Sequence, residues 1–159
     1  MGGIVFAGVL KVAKSLGIFS KRLARTLAVQ FMYQMRMNGI QSVSDIELDD
    51  FINTYANDDV NTKFFKKIVA NFQKDTRLDE IIEDALEEGK TISNSPPVEI
   101  CILKTALTEM IFEKTDIPVI INEYVEIAKD FLDEKVAKFI NALLDKISKK
   151  VERKCLAQA

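Results

Sequence analysis

The chain has 159 residues, 48% of them apolar and 29% charged, and a formal net charge of −2. This is the size of a single domain with a sizeable core, and the balance excludes a disordered or fibrous chain. With no histidine at all, it lacks the commonest general base and the commonest metal ligand. The two cysteines, Cys101 and Cys155, have neither metal-ligand nor disulfide-framework spacing, so the chain reads as intracellular and cytoplasmic, with Cys101 a small core residue.

The opening segment, MGGIVFAGVLKVAKSLGIF, contains the apolar run Ile4–Leu10 but no preceding charge and no Ala-x-Ala cleavage pattern, which argues against a secretory signal. Phe6 stands where a myristoylation motif needs Ser or Thr. No apolar run approaches the roughly 18 residues of a membrane span. Residues 1–19 are expected to form an N-terminal extension, either an extra helix or a start-site extension.

Helical periodicity dominates from residue 20 onward. The spacing predicts a helix over 20–37, stopped by Asn38-Gly39. Ser44 with Glu47 three residues on is a capping-box pattern and opens a second helix over 45–56. Val60, Phe64, Ile68 and Phe72 recur every four residues in a third, over 60–74. A fourth, over 76–88, has Leu78, Ile81, Ile82, Ala85 and Leu86 on one side. Its other side carries Asp79, Glu80, Glu83, Asp84, Glu87 and Glu88, read as a solvated face, and Gly89 is its stop. After the linker TISNSPP, Pro96 and Pro97 suit the first turn of a helix over 96–113. That helix is apolar on more than one side and is the expected central element. Pro118 opens a helix to about Leu132, and the last, about 134–151, has the stripe Val136, Ile140, Leu143, Leu144, Ile147 and Val151. The expectation is an all-α domain of six to seven helices over 20–152, with a short tail over 153–159.

Charge is unevenly distributed. Residues 1–44 contain Lys11, Lys14, Lys21, Arg22, Arg25 and Arg36 and no acid, a charge of +6, whereas the remaining 115 residues hold 16 basic and 24 acidic side chains, a charge of −8. Two explanations stand side by side: an anionic partner such as nucleic acid, or pairing of a basic helix with the acidic body of the same chain. On a helical projection of SKRLARTLAVQFMYQMR, Leu23, Ala24, Leu27, Ala28, Phe31, Met32 and Met35 fall on one broad side. Arg22, Arg25, Tyr33 and Arg36 fall within about 80° of each other on the opposite side, flanked by Lys21. Arginine forks match phosphate oxygens and a tyrosine ring can stack on a base, so this face is a candidate single-stranded RNA footprint. Against it stands an ordinary solvated polar face, although such faces mix charge signs and this helix has no acid. No phosphate loop, nucleophile elbow or metal motif occurs, so neither catalytic residues nor cofactors are expected.

The run VEICILKTALTEM, then DIPVIINEYVEIAKDF and KFINALLDKI, resembles the NusB transcription antitermination family. The resemblance rests on Val98-Glu99, Ile102-Leu103-Lys104, Ala106, Glu109, Asp116-Ile117-Pro118, Ile121-Asn122-Glu123, Ala128-Lys129, Phe139, Asn141 and Leu144-Asp145. At the front it adds Arg22, Ala24-Arg25, Ala28-Val29-Gln30 and Tyr33. It implies a compact helical domain of two packed halves and a non-catalytic factor. Such factors bind the boxA element of nascent rRNA leader transcripts. They do so with the small-subunit ribosomal protein that doubles as NusE, in a complex that carries RNA polymerase through terminators. By position the resemblance assigns RNA contact to Lys21, Arg22, Arg25 and Tyr33, to which Arg36 is added from the projected face. It assigns partner contact to Glu99 and Lys104. Homodimers also fit such a family. The other class left open is a helical protein–protein adaptor without RNA function; a detached domain of an rRNA methyltransferase would lack its cofactor-binding domain.

This chain departs from the family pattern at several positions. Thr108 replaces the usual tyrosine, the stretch from Pro118 to Asn122 is about two residues short, and Ala142-Leu143 replaces Gly-Val. Leu132-Asp133-Glu134-Lys135-Val136 stands where Gly-x-x-Asp-Ser is usual, which puts Lys135 in place of an acid on the RNA side. Lys135 is therefore expected either to restore positive charge to the footprint or to be a solvated surface lysine.

Overall fold

The computed structural model describes the backbone of residues 20–74 and 77–158, with side chains over 20–72 and 77–151; the expected N-terminal extension lies outside the described residues. Seven helices and no strand occur among them: α1 Ser20–Met37, α2 Asp45–Tyr55, α3 Thr62–Lys74, α4 Arg77–Ala85, α5 Pro97–Phe112, α6 Ile117–Phe131 and α7 Glu134–Gln158.

Most local signals act where the sequence places them. The exception is Gly89: the helix expected over 76–88 ends at Ala85, and Gly89, at φ +83, sits instead in the turn closed by Lys90 N–H to Glu87 C=O at 3.0 Å. α1 ends in a Schellman motif: Ile40 N–H donates to Met35 C=O at 2.9 Å and Gly39 N–H to Arg36 C=O at 3.3 Å. Gly39 sits at φ +66, a conformation that costs a side-chain-bearing residue about 1–2 kcal/mol. Both halves of the capping box form: Glu47 N–H donates to Ser44 Oγ at 3.2 Å and Ser44 N–H to Glu47 Oε2 at 2.7 Å. These bonds hold the Glu47 carboxyl below its ordinary range. α7 continues seven residues past the expected end at 151, to Gln158. The reason is composition: Glu152-Arg153-Lys154-Cys155-Leu156-Ala157-Gln158 contains no glycine or proline stop and mostly good helix formers.

Helix α5 is central because it is apolar on more than one side. It packs against α1, α3, α4, α6 and α7, and Ile100, Cys101, Ile102, Leu103, Ala106, Leu107 and Met110 are all buried. Its threonines are accommodated by bonding back one turn: Thr105 and Thr108 hydroxyls donate to the Cys101 and Lys104 carbonyls, each at 2.7 Å. Thr108, the departure from the family tyrosine, is thus a buried and satisfied residue.

On one side of α5 lie α1 and α3, with α2 joined to them by an aromatic cluster. Phe31 meets Phe51 edge-on at 5.0 Å and Phe65 at 6.0 Å. On the other side α7 covers α4 and α6, burying Ile140, Leu143, Leu144, Ile147 and Val151, the stripe read from the sequence. Lys146 Nζ caps α4 by donating to the Ala85 carbonyl at 3.0 Å.

Candidate nucleic-acid interface

α1 is enclosed by α3, α5 and α6. Its apolar side is buried as expected, but so is most of the opposite side: Val29 and Gln30 are 0% exposed and Arg25 only 4%. The face seen in projection is therefore not a solvent face along its whole length.

Arg25 points into the protein and grips Glu109 of α5. Its Nε lies 2.9 and 3.1 Å from the two carboxylate oxygens, and Nη2 lies 2.7 Å from Oε1. The guanidinium also lies over the Phe64 ring at 5.2 Å. Burial works against the Arg25 charge, and the Glu109 hydrogen bond and charge outweigh it, so the guanidinium stays firmly protonated. Tyr124 of α6 completes the cluster. It is fully buried, and burial followed by the Glu109 charge holds its hydroxyl well above the ordinary tyrosine range.

One turn earlier, Arg22 forms a bidentate pair with Glu123 of α6, Nε to Oε2 at 2.6 Å and Nη2 to Oε1 at 3.0 Å. That pair raises the Arg22 pKa first, and the charges of Glu123, Glu126 and Asp130 raise it further, so Arg22 sits on an anionic side of the molecule. For these two arginines the intramolecular explanation of the charge asymmetry holds. The partner acids lie 84 and 101 residues away in sequence. The placement of Arg25 on an accessible RNA face is corrected: it is an interior ion pair, invisible to a projection that fixes angles but not what covers them.

The other expected residues lie apart. Lys21 is exposed at the start of α1, its ammonium over the Phe64 ring at 5.2 Å. Ser20 C=O accepts from Asn61 N–H at 3.2 Å, which ties this end of α1 to the start of α3. Tyr33 is half-buried and packs on the core. Arg36 is exposed at the far end of α1, ~22 Å along the axis from Lys21 at a rise of about 1.5 Å per residue. Its Nη2 donates to the Ile92 carbonyl at 3.2 Å. Lys135 is exposed in the first turn of α7.

The expected partner residues sit on different sides of α5. Glu99 lines a depression with Lys90, Pro96 and Phe139. Partial burial raises its carboxyl pKa, Lys90 lowers it and Asp133 raises it, with a net upward shift. Lys104 pairs with Asp79 at 3.1 Å and lines another depression with Met35, Arg36, Ile40 and Phe72. Arg36 therefore neighbours Lys104 rather than Lys21.

The NusB family model matches residues 22–149 of this chain. The chain belongs to the NusB family. It is 38% identical over 130 residues to the transcription antitermination protein NusB of Shewanella baltica, covering 80% of this chain and 93% of that protein. It is 37% identical to that of Shewanella amazonensis over the same shares. In structure it is similar to T. maritima NusB, with a TM-score of 0.66 and 25% identity over 80% of this chain and 89% of the other. The all-helical NusB fold and the family expected from the quoted motifs are both present. Two motif residues, Glu109 and Glu123, received no role from the sequence and supply the counter-charges of α1. The available signal was Glu109 itself, an acid set among the apolar residues Ala106, Leu107, Met110 and Ile111 of the central helix, which demands a buried cation. No helix among the described residues is long and apolar enough to cross a membrane.

Proposed function

We propose that this chain is a transcription antitermination factor that binds boxA-type single-stranded RNA of rRNA leader transcripts together with the ribosomal protein that acts as NusE, within an RNA polymerase antitermination complex. The observation that carries the reading is the family match, which spans Arg22, Arg25 and Arg36 of the basic opening and the Val98-Glu99 motif together. On this reading the factor is cytoplasmic and not an enzyme. Lys21, Arg22, Tyr33, Arg36 and Lys135 form the RNA-facing set, and Arg25 holds α1 in place behind it. Glu99 and Lys104 are partner contacts on two sides of α5.

About four phosphate contacts at a slope near −0.7 each give a roughly 50-fold affinity loss from about 50 to 200 mM salt. The test is fluorescence anisotropy with a labelled boxA-like RNA, with and without the NusE partner. Salt-dependent binding strengthened by the partner is expected, and no binding in either condition removes the proposal.

The neutralisation of Arg22 and Arg25 by Glu123 and Glu109 favours one second reading, an adaptor that holds a protein partner without touching RNA. NusE binding in a separate titration of the partner alone, with no RNA binding in that assay, would select it.

A further inference from the structure

With Arg25 interior and Arg22 clamped to Glu123, α1 alone offers little uncommitted positive charge. The charge lies beside it. Lys21 shares an open depression of about 580 Å3 with Lys63 and Lys67 of α3 and Lys114 of the α5–α6 connection. Lys63 and Lys67 are one turn apart on the same face of α3, and all four lysines are exposed. Among the described residues, Lys63, Lys67 and Lys114 have no acidic oxygen within ion-pair distance, in contrast to Lys66, which turns to Asp49 of α2 at 2.8 Å. Phe64 is buried between the lysines and holds the Lys21 ammonium over its ring. Asn61 and Thr115 add polar rim atoms. Glu113 and Asp116 also line the depression, which leaves its described lining a surplus of two positive charges in a chain whose net charge is −2.

Resting on the RNA-binding reading above, we propose that this Lys21–Lys63–Lys67–Lys114 groove is a phosphate track for single-stranded RNA, carrying the strand from the start of α1 onto α3. Lysines suit this role because an ammonium on a flexible stem follows a backbone as a point charge and reads no base. The groove supplies affinity and direction, and the α1 residues with the protein partner supply the rest. Two features favour RNA over an acidic protein segment: the groove is continuous with Lys21 at the start of α1, and among the described residues it has little apolar lining for side chains, Phe64 being buried and Val119 the one exposed aliphatic.

The test compares three forms of the full chain: wild type, the double variant Lys63→Gln with Lys67→Gln, and the control Lys66→Gln. Each is titrated against labelled boxA-like RNA at several salt concentrations with the NusE partner present, and separately against the partner alone. Each phosphate contact is worth about 5-fold at roughly 0.1 M salt, so the double variant should bind RNA about 25-fold more weakly, with a salt slope smaller by about 1.4. The control should match wild type, and partner affinity should be unchanged. A double variant with wild-type affinity and slope, where wild type does bind, would overturn the groove and leave the function standing. Equal loss in the control would reduce the effect to net charge and overturn the groove as well. Loss of partner affinity in place of RNA affinity would assign the groove to an acidic protein segment. Absence of RNA binding by wild type would remove the groove together with the function.

Discussion

Replacing Arg25 by methionine separates a structural role from an RNA-contacting one. Arg25 is 4% exposed and Glu109 is 0% exposed, and three short hydrogen-bond contacts join them. Arg25→Met keeps most of the side-chain volume but leaves the Glu109 carboxylate buried without its cation. Breaking a buried pair in this way costs about 3–5 kcal/mol. At roughly 3 °C per kcal/mol for a chain of this size, the midpoint of thermal unfolding should fall by about 10–15 °C. Removing both charges, Arg25→Met with Glu109→Leu, takes away the desolvation cost along with the attraction. The double variant should return to within about 1.5 kcal/mol of wild type.

Thermal and urea unfolding of the wild type, both singles and the double close this cycle, and anisotropy with boxA-like RNA runs in parallel well below every midpoint. The expected pattern is a large loss of stability in each single, recovery in the double, and RNA affinity that survives in the double. An Arg25→Met variant that unfolds within a degree or two of wild type yet loses RNA binding would refute the interior assignment and return Arg25 to the RNA face. A double variant no more stable than the single would shift the weight from the ion pair to the guanidinium stacked on Phe64.

Other perturbations probe the remaining groups. Glu123→Gln weakens the clamp on Arg22 and removes a negative charge beside the basic opening, so RNA affinity should rise about 5-fold at roughly 0.1 M salt, one phosphate contact's worth; weaker binding at unchanged stability would contradict this placement of Arg22. Because partial burial raises the Glu99 carboxyl, the native chain keeps that proton to higher pH than the unfolded chain, and wild type loses stability as pH rises through the window above the ordinary value of 4.5. The stability of Glu99→Gln relative to wild type should therefore increase from pH 4 to pH 7, and a difference that is flat or shrinks over that range would show that Glu99 does not titrate this way. Burial pushes the Cys101 thiol up to about 12, despite the charges of Arg36 and Lys104. In a Cys155→Ser background at pH 8, Cys101 should be inert to a disulfide reagent until urea unfolds the chain, and rapid labelling of the native protein would contradict its burial.

The elements were legible because each carried its own local signal. Gly39 needs its positive φ, Ser44 and Glu47 close a reciprocal box, and α5 is apolar on more than one side. Those causes act within a few residues, so the sequence displays them. Where a helix ends without such a signal, as at 151, the expected boundary was seven residues short. The charged face of α1 was legible in angle only. Whether an arginine meets water or a carboxylate depended on Glu109 and Glu123, and their proximity exists only after α5 and α6 pack. The lysines of α3 were hidden for the same reason: Lys63 and Lys67 read as an ordinary solvated edge until the start of α1 is tied to Asn61 and Lys114 is brought across from the α5–α6 connection.

The same packing bears on how an acidic chain would hold RNA on the proposed reading. Anionic side chains from α6 surround Arg22, and a phosphate placed there competes with a bidentate carboxylate already at 2.6 Å. Displacing Glu123 would leave its charge in partly desolvated surroundings, so Arg22 is a costly contact. Lysines held apart from acids carry no such cost. Positive charge built into the start of α1 therefore divides between two tasks. Arg25 orders α1 against α5 through a long-range interior pair, and that order holds Lys21 beside the α3 lysines. On the RNA-binding reading, substituting Arg25 would weaken RNA binding although it touches no phosphate, through loss of that alignment. An arginine scan read alone would misassign the contact surface. Salt slopes separate the two cases: a lost phosphate contact lowers the slope by about 0.7, whereas a lost alignment residue lowers the fraction of competent protein and leaves the slope of the remainder unchanged.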